Sequence, residues 1–107
     1  MAKGYWIARM TIHDQAGYDA YRALNGKAFS KYGARFLVRG GTFECVEGRT
    51  LDRHVVIEFD SLATAQACYR SPEYAEALAH RPPSVALADL CLLYTFAGDS
   101  QMTLPTT

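Results

Sequence analysis

Two arginines, a glutamate and a histidine (Arg9, Arg39, Glu58 and His54) are the residues of this chain whose types could do chemistry together. Each falls in a stretch where apolar and polar residues alternate, the mark of a strand whose side chains point to opposite faces. By parity all four point to the same side. There Arg39 would anchor an anion, with Arg9 a second charge partner. Glu58 or His54 would be the general base toward a small anionic or enolisable substrate. A structural reading competes with this one. Strands one and three are neighbours, so Glu58 would be neutralised by one or both arginines, as a half-buried carboxylate requires.

Tyrosine is the other enriched type, with seven in the chain. Tyr18, Tyr21 and Tyr32 fall along one predicted helix, and Tyr69 and Tyr74 in a second helical layer. At helical spacing, aromatics pack a core and send the hydroxyl to a polar group. They could instead line a slot between helices and sheet, which makes Tyr18 and Tyr69 substrate-binding candidates. The three histidines, His13, His54 and His80, show no HxH, HxxxH or HExxH spacing, so no metal is expected. Ser30, Ser61, Ser71 and Ser84 lack a nucleophile elbow. Gly40-Gly41 leads into more strand, not a helix, and nothing resembles a phosphate loop. No cofactor is expected.

The elements that must position these residues follow from periodicity and punctuation. Residues 5–12 alternate, with Trp6, Ala8, Met10 and Ile12 on one side. Asp14 caps a helix over 15–32, and Gly33 stops it. A second strand over 34–47 changes phase at Arg39-Gly40-Gly41: Phe36 and Val38 are apolar before it, Phe43 and Cys45 after it. A phase change inside a strand needs one extra residue, a β-bulge, which bends the strand and aims Arg39. Residues 48–52 turn the chain into a third strand over 53–59. Asp60-Ser61 caps a helix over 62–70. Ser71 caps a third helical piece with Pro72 at its first position, ending near His80 before Pro82-Pro83. A last strand over 89–96 precedes a polar tail, 98–107, leaving one domain at 1–97.

The order β-α-β-β-α-β is the ferredoxin-like split arrangement, an α+β fold. Right-handed crossovers put strands one and three at the centre, flanked by four and two, with the helices on one face. The helix-covered face then carries Phe36, Val38, Phe43, Val55, Ile57 and Phe59 beside the first strand's apolar set. The bare face carries Tyr5, Ile7, Arg9, Arg35, Leu37, Arg39, His54, Val56 and Glu58. That mixture suits pairing with a second copy of the chain around a partly wet interior.

Composition bounds the rest. A chain of 107 residues, half of them hydrophobic, is one domain that buries roughly 65% of its unfolded surface. Eleven basic residues balance eleven acidic ones, which argues against a basic footprint for nucleic acid or membrane and leans toward self-association. No apolar run approaches the roughly 20 residues of a membrane span, and the start reads directly into a strand, so a cytoplasmic protein is expected. Cys45, Cys68 and Cys91 sit far apart among apolar neighbours. The reading is three small buried hydrophobes without disulfides.

Four blocks carry a resemblance to a known family: Lys3-Gly4-Tyr5-Trp6-Ile7, the run from Lys31 through Gly33-Ala34-Arg35 to Gly41, Val55-Val56-Ile57-Glu58-Phe59, and Tyr69-Arg70-Ser71-Pro72-Glu73-Tyr74. Together, over about residues 3–96, the chain resembles the family known as domain of unknown function 1330. Pro82-Pro83 departs from that family's Arg-rich helical continuation. The resemblance implies a dimeric α/β barrel, in which two sheets pair face to face, and it implies no particular reaction. Relatives in the wider superfamily include cofactor-independent monooxygenases, small isomerases, haem-handling enzymes and ligand-binding regulatory domains. The chain is therefore expected to be a homodimer that binds a small molecule, either as a cofactor-independent enzyme or as a non-catalytic ligand-sensing or dimerisation module.

Overall fold

Apolar residues at even positions of the first strand decide which side of the sheet the helices cover. The computed structural model describes residues 2–49 and 51–95. In it strand β1 (Gly4–Ile12) buries Trp6, Ala8 and Met10 while Ile7 and Arg9 stay exposed. Helix α1 (Gln15–Lys31) begins where the Asp14 carboxylate accepts the Gly17 N–H, and it ends at Tyr32 and Gly33, whose φ of 66° is left-handed. Strands β2 (Arg35–Arg39) and β3 (Arg53–Phe59), helices α2 (Leu62–Tyr69) and α3 (Pro72–Leu78), and strand β4 (Ala86–Tyr94) complete the order. Ser61 and Ser71 cap α2 and α3 by accepting the N–H groups of Thr64 and Tyr74.

The four strands pair antiparallel in the order β2-β3-β1-β4. This is the ferredoxin-like arrangement, with β1 and β3 central. Trp6, 1% exposed, fixes the helices to one face. Its ring centroid lies 5.2 Å from that of Phe29 on α1, 5.6 Å from Tyr69 on α2 and 5.0 Å from Tyr74 on α3. Its indole N–H donates to the Ala65 carbonyl at 2.8 Å. One side chain thus ties three helices to the central strand, and its only polar atom is satisfied.

The second strand departs from the sequence reading in two ways. It stops at Arg39, and residues 40–49 form no strand. The phase change also falls earlier than Arg39-Gly40-Gly41. Phe36 pairs with Ile57 and Val38 with Val56, so Leu37 is the extra residue. Gly40 and Gly41, with φ of 71° and 88°, turn the chain off the sheet. The last strand begins three residues before the expected Asp89, because β1 offers partners from Gly4 opposite Tyr94 to Ile12 opposite Ala86. Phe96 and the tail expected at 98–107 lie outside the described residues.

Of the cysteines, Cys68 is buried against the helix layer, but Cys45 and Cys91 are exposed. Cys91 sits opposite Ile7 on the uncovered face, and Cys45 lies in the segment that leaves the sheet. Among the described residues no helix is long and apolar enough to cross a membrane.

Replacing Trp6 by alanine is expected to lower the unfolding free energy by about 3–5 kcal/mol, because it opens a cavity under three helices at once. Urea unfolding checks this, and a loss below about 1 kcal/mol would place the indole outside the group of residues that hold the layers together.

Candidate ligand-binding cavity

The slip at Leu37 sorts the side chains of β2 between two faces. Val55 and Ile57 face the helices, so Phe36 opposite Ile57 and Arg39 opposite Val55 face them too. Val38, opposite Val56, is turned to the uncovered side. Arg39 and Val38 have therefore exchanged the faces that unbroken alternation assigns to them. The Arg39 guanidinium lies 4.4 Å from the Phe36 ring centroid, a cation over the electron-rich face of an aromatic ring.

The four residues of the expected constellation are thus not brought together. Glu58 stays on the uncovered face, where its carboxylate accepts from Arg35 Nε at 3.0 Å and from the Tyr5 hydroxyl at 2.9 Å. Arg35 also donates to Asp60 at 3.1 Å. Neither Arg9 nor Arg39 is the partner. Glu58 stands opposite Tyr5, and Arg9 opposite His54. Four residues of strand, about 13 Å, separate those positions. Arg9 lies instead 3.9 Å from Asp89 on β4. The His54 ring packs against Phe43 at 4.3 Å between centroids, tilted by 56°.

On the helix side a cavity opens between α1 and the sheet. Trp6, Met10, Phe29, Phe36, Val55 and Leu90 are among its apolar walls, and Tyr18, Tyr21 and Asn25 reach it from α1. Four arginines line it, Arg22, Arg39, Arg53 and Arg81, with no carboxylate among the lining residues. The cavity holds about 490 Å³ of atom-free space counted to its open mouth, and about 40 Å³ of this admits the centres of water molecules. Arg22 and Arg39 stand at the mouth, where they also line an adjoining open groove with Asp19 and Ala23. Arg22 lies 3.9 Å from Asp19.

Arg53 and Arg81 sit deeper and are half-buried. The Arg53 guanidinium lies 5.8 Å from the Tyr18 ring centroid, and that of Arg81 4.9 Å from the Tyr21 ring. A Cβ on Gly40 would stand 2.5 Å from Arg53 Nη1, so the glycine leaves the guanidinium its place. Burial raises the Tyr18 hydroxyl above its ordinary pKa of 10.0, and the nearby Arg53 only partly offsets this. The Tyr21 and Tyr74 hydroxyls share a hydrogen bond of 2.6 Å, and Arg81 Nη2 donates to Tyr74 at 3.4 Å. Burial pushes Tyr74 far up, so its hydroxyl is neutral. The cavity can therefore receive an anion and give it protons to hydrogen-bond, but it holds no carboxylate or imidazole to act as a base. Among the described residues no cluster of three histidine, cysteine or acidic side chains is placed to hold a metal ion.

Residues 3–95 match the family model described as domain of unknown function, DUF1330. The chain belongs to this family. The DUF1330 chain is also similar in structure to the RPA0582 protein of unknown function from Rhodopseudomonas palustris. That likeness has a TM-score of 0.71 at 20% identity, covering 86% of this chain and 81% of that one. SnoaB, a cofactor-independent oxygenase from Streptomyces nogalater, matches with a TM-score of 0.57 at 12% identity, covering 87% of this chain and 92% of that one. Identities this low show a shared fold. No curated protein matches the chain.

Of the expected substrate-binding residues, the DUF1330 chain places Arg39 and Tyr18 at the cavity. Arg9 is on the opposite face, and Tyr69 packs on Trp6 away from the cavity lining. Sequence reasoning missed Arg53, Arg22 and Arg81. Arg53 carried a signal, sharing the odd parity of Val55, Ile57 and Phe59. Arg22 did too, one helical turn beyond Tyr18. Arg81, just past α3, had none.

The Arg35 hydrogen bond, and then that of Tyr5, hold the Glu58 carboxyl below its ordinary 4.5. A depressed folded value means that ionised Glu58 contributes stability above the unfolded pKa, and that this is lost as pH falls through the folded one. The urea midpoint of the wild type is therefore expected to exceed that of Glu58→Gln near neutrality. The gap should close progressively below about pH 4.5. A gap that widens on acidification would reverse the assignment.

Proposed function

We propose that this DUF1330 protein is a homodimer that binds one small organic anion per protomer in the cavity between α1 and the sheet. The single observation that carries the ligand reading is the unbalanced charge of that cavity: four guanidinium groups on largely apolar walls, with no carboxylate among the lining residues. Half-buried cations such as Arg53 and Arg81 are costly without a counter-anion, and arginine suits a carboxylate because its fork of donors matches both oxygens.

The uncovered face supports the dimer. Ile7, Val38, Leu87 and Leu93 are 38%, 41%, 57% and 41% exposed there, an apolar area with its charges already paired as Arg35–Glu58 and Arg9–Asp89. A locally neutral, apolar surface is complementary to itself, so a second copy fits it without stranding a charge. In this reading Glu58, Arg9 and His54 shape the contact between protomers and do not act on the ligand.

A second reading is enzymatic. Guanidinium groups around a ligand would stabilise the negative charge of an enolate as it forms, which is electrostatic catalysis without a cofactor. The absence of any carboxylate from the cavity lining favours it, since nothing there competes for that charge. SnoaB, which shares the fold, is a cofactor-independent oxygenase. The proton would pass to a basic group on the ligand itself, because Glu58 and His54 lie across the sheet from Arg39 and burial keeps the Tyr18 hydroxyl protonated.

The test is a titration of aromatic carboxylates, beginning with benzoate. A hundredfold excess over Kd stabilises the native state by about 2.7 kcal/mol, on the order of 10 °C in Tm for a chain of this size. Arg53→Gln is expected to remove that shift while light scattering still gives a dimer mass. Leu93→Arg is expected to give a monomer. A wild type that no aromatic carboxylate stabilises would overturn the ligand reading, and a monomeric wild type would overturn the dimer.

A further inference from the structure

The two deep arginines share a peculiarity that the mouth arginines lack. Arg53 Nε and Arg81 Nε are both buried with no acceptor among the described residues. Each belongs to a guanidinium that lies against a different tyrosine of α1, Arg53 against Tyr18 and Arg81 against Tyr21. Those two rings are neighbours, 5.6 Å between centroids. The cations therefore flank a two-ring aromatic ledge, one at each ring. A buried donor left unpaired loses its hydration without replacement, so each position asks for an acceptor of its own.

From this we infer that the ligand is a flat skeleton bearing two carboxylates or equivalent anionic groups, one received by Arg53 and the other by Arg81. The inference rests on the cavity being the ligand site. A single carboxylate engages one arginine fork through its two oxygens and leaves the other Nε bare. The Arg81 end offers a further donor. In the Tyr21–Tyr74 pair, one hydroxyl proton is used between the two oxygens and the other remains to give. The walls between the two ends, Trp6, Phe29, Phe36 and the tyrosine ledge, suit the faces and edges of a planar ring system. No acid lines the cavity itself, and Asp19 stands outside it at the mouth beside Arg22. The deep pair is not offset by it, which favours a dianion over a monoanion.

The experiment compares benzoate with its two-carboxylate counterparts isophthalate and terephthalate by calorimetric titration of the wild-type dimer. One of the dicarboxylates is expected to bind about tenfold or more tightly than benzoate, since it adds a second charge-assisted contact. Arg81→Gln is expected to bring that dicarboxylate down to the benzoate level while benzoate changes by less than about threefold. Arg81→Lys keeps the charge without the fork and is expected to fall between them, which preserves the test if the glutamine variant does not fold. Equal affinities of all three probes for the wild type would overturn the two-anion inference and leave the cavity as a monoanion site. So would an Arg81→Gln variant that weakens benzoate as much as the dicarboxylate. Failure of every probe to bind would overturn the cavity reading itself.

Discussion

The pairing register between β2 and β3 governs where the charges of this molecule act. Leu37 has no partner on β3, so every side chain beyond it on β2 is turned to the face opposite the one unbroken alternation would give. That turn carries Arg39 into the space beneath α1 and Val38 out to the uncovered side. It also delivers the chain to Gly40, whose left-handed backbone and missing Cβ leave room for the Arg53 guanidinium. Two of the four cavity arginines thus depend on one extra residue in an edge strand. Bulges commonly re-aim a side chain in this way, and an edge strand tolerates them because only one ladder is interrupted.

A formal charge of zero conceals a division of charge between the two sides of the sheet. On the uncovered side the acids meet bases across neighbouring strands, Glu58 with Arg35 and Asp89 with Arg9. On the helix side, four arginines meet around a cavity whose lining contains no acid. The first arrangement makes a surface that another protein surface can cover without an electrostatic penalty. The second makes a field that draws in an anion. Balanced composition argues against a broad basic footprint, yet it says nothing of a local excess, because net charge is a sum and the fold decides the distribution.

Much of the architecture was legible in the chain. Asp14, Ser61 and Ser71 announce three helix starts, Gly33 a helix end, and alternation in 5–12 and 53–59 the central strands, because caps and period-two patterns are local and need no tertiary context. The site was less legible for a specific reason. Assigning apolar residues to the helix face is sound where that face is sealed, but here it encloses a cavity, and a cavity accepts Arg39 and Arg53 where a packed core would reject them. Apolarity alone therefore put Val38 inside and Arg39 outside. The phase change is visible in the sequence, but the glycines mark it later than Leu37, where it falls. Sequence shows that a residue must be extra, whereas only the partner strand shows which one. The Arg9–Glu58 pairing failed on register too, since adjacency of strands does not tell which residues stand level.

Four guanidinium groups around one space raise the question of how the fold tolerates them before any ligand arrives. Three of them lie against aromatic faces, Arg39 on Phe36, Arg53 on Tyr18 and Arg81 on Tyr21. Such contacts return roughly 0.5–2 kcal/mol each and, more to the point, fix the planes of the forks. The cavity also opens to solvent at Arg22 and Arg39, so water screens the outer pair and their mutual repulsion is small. Each of the inner pair lies against its own ring of the tyrosine ledge, and Arg81 also donates to the Tyr74 hydroxyl. What remains uncompensated is hydrogen bonding at the two buried Nε atoms, a local deficit that the folded state can carry because the aromatic cluster around Trp6 holds the walls in place. A site held open in this way has already met the cost of orienting its donors, so an acceptor entering it gains the contacts without having to reorganise the protein.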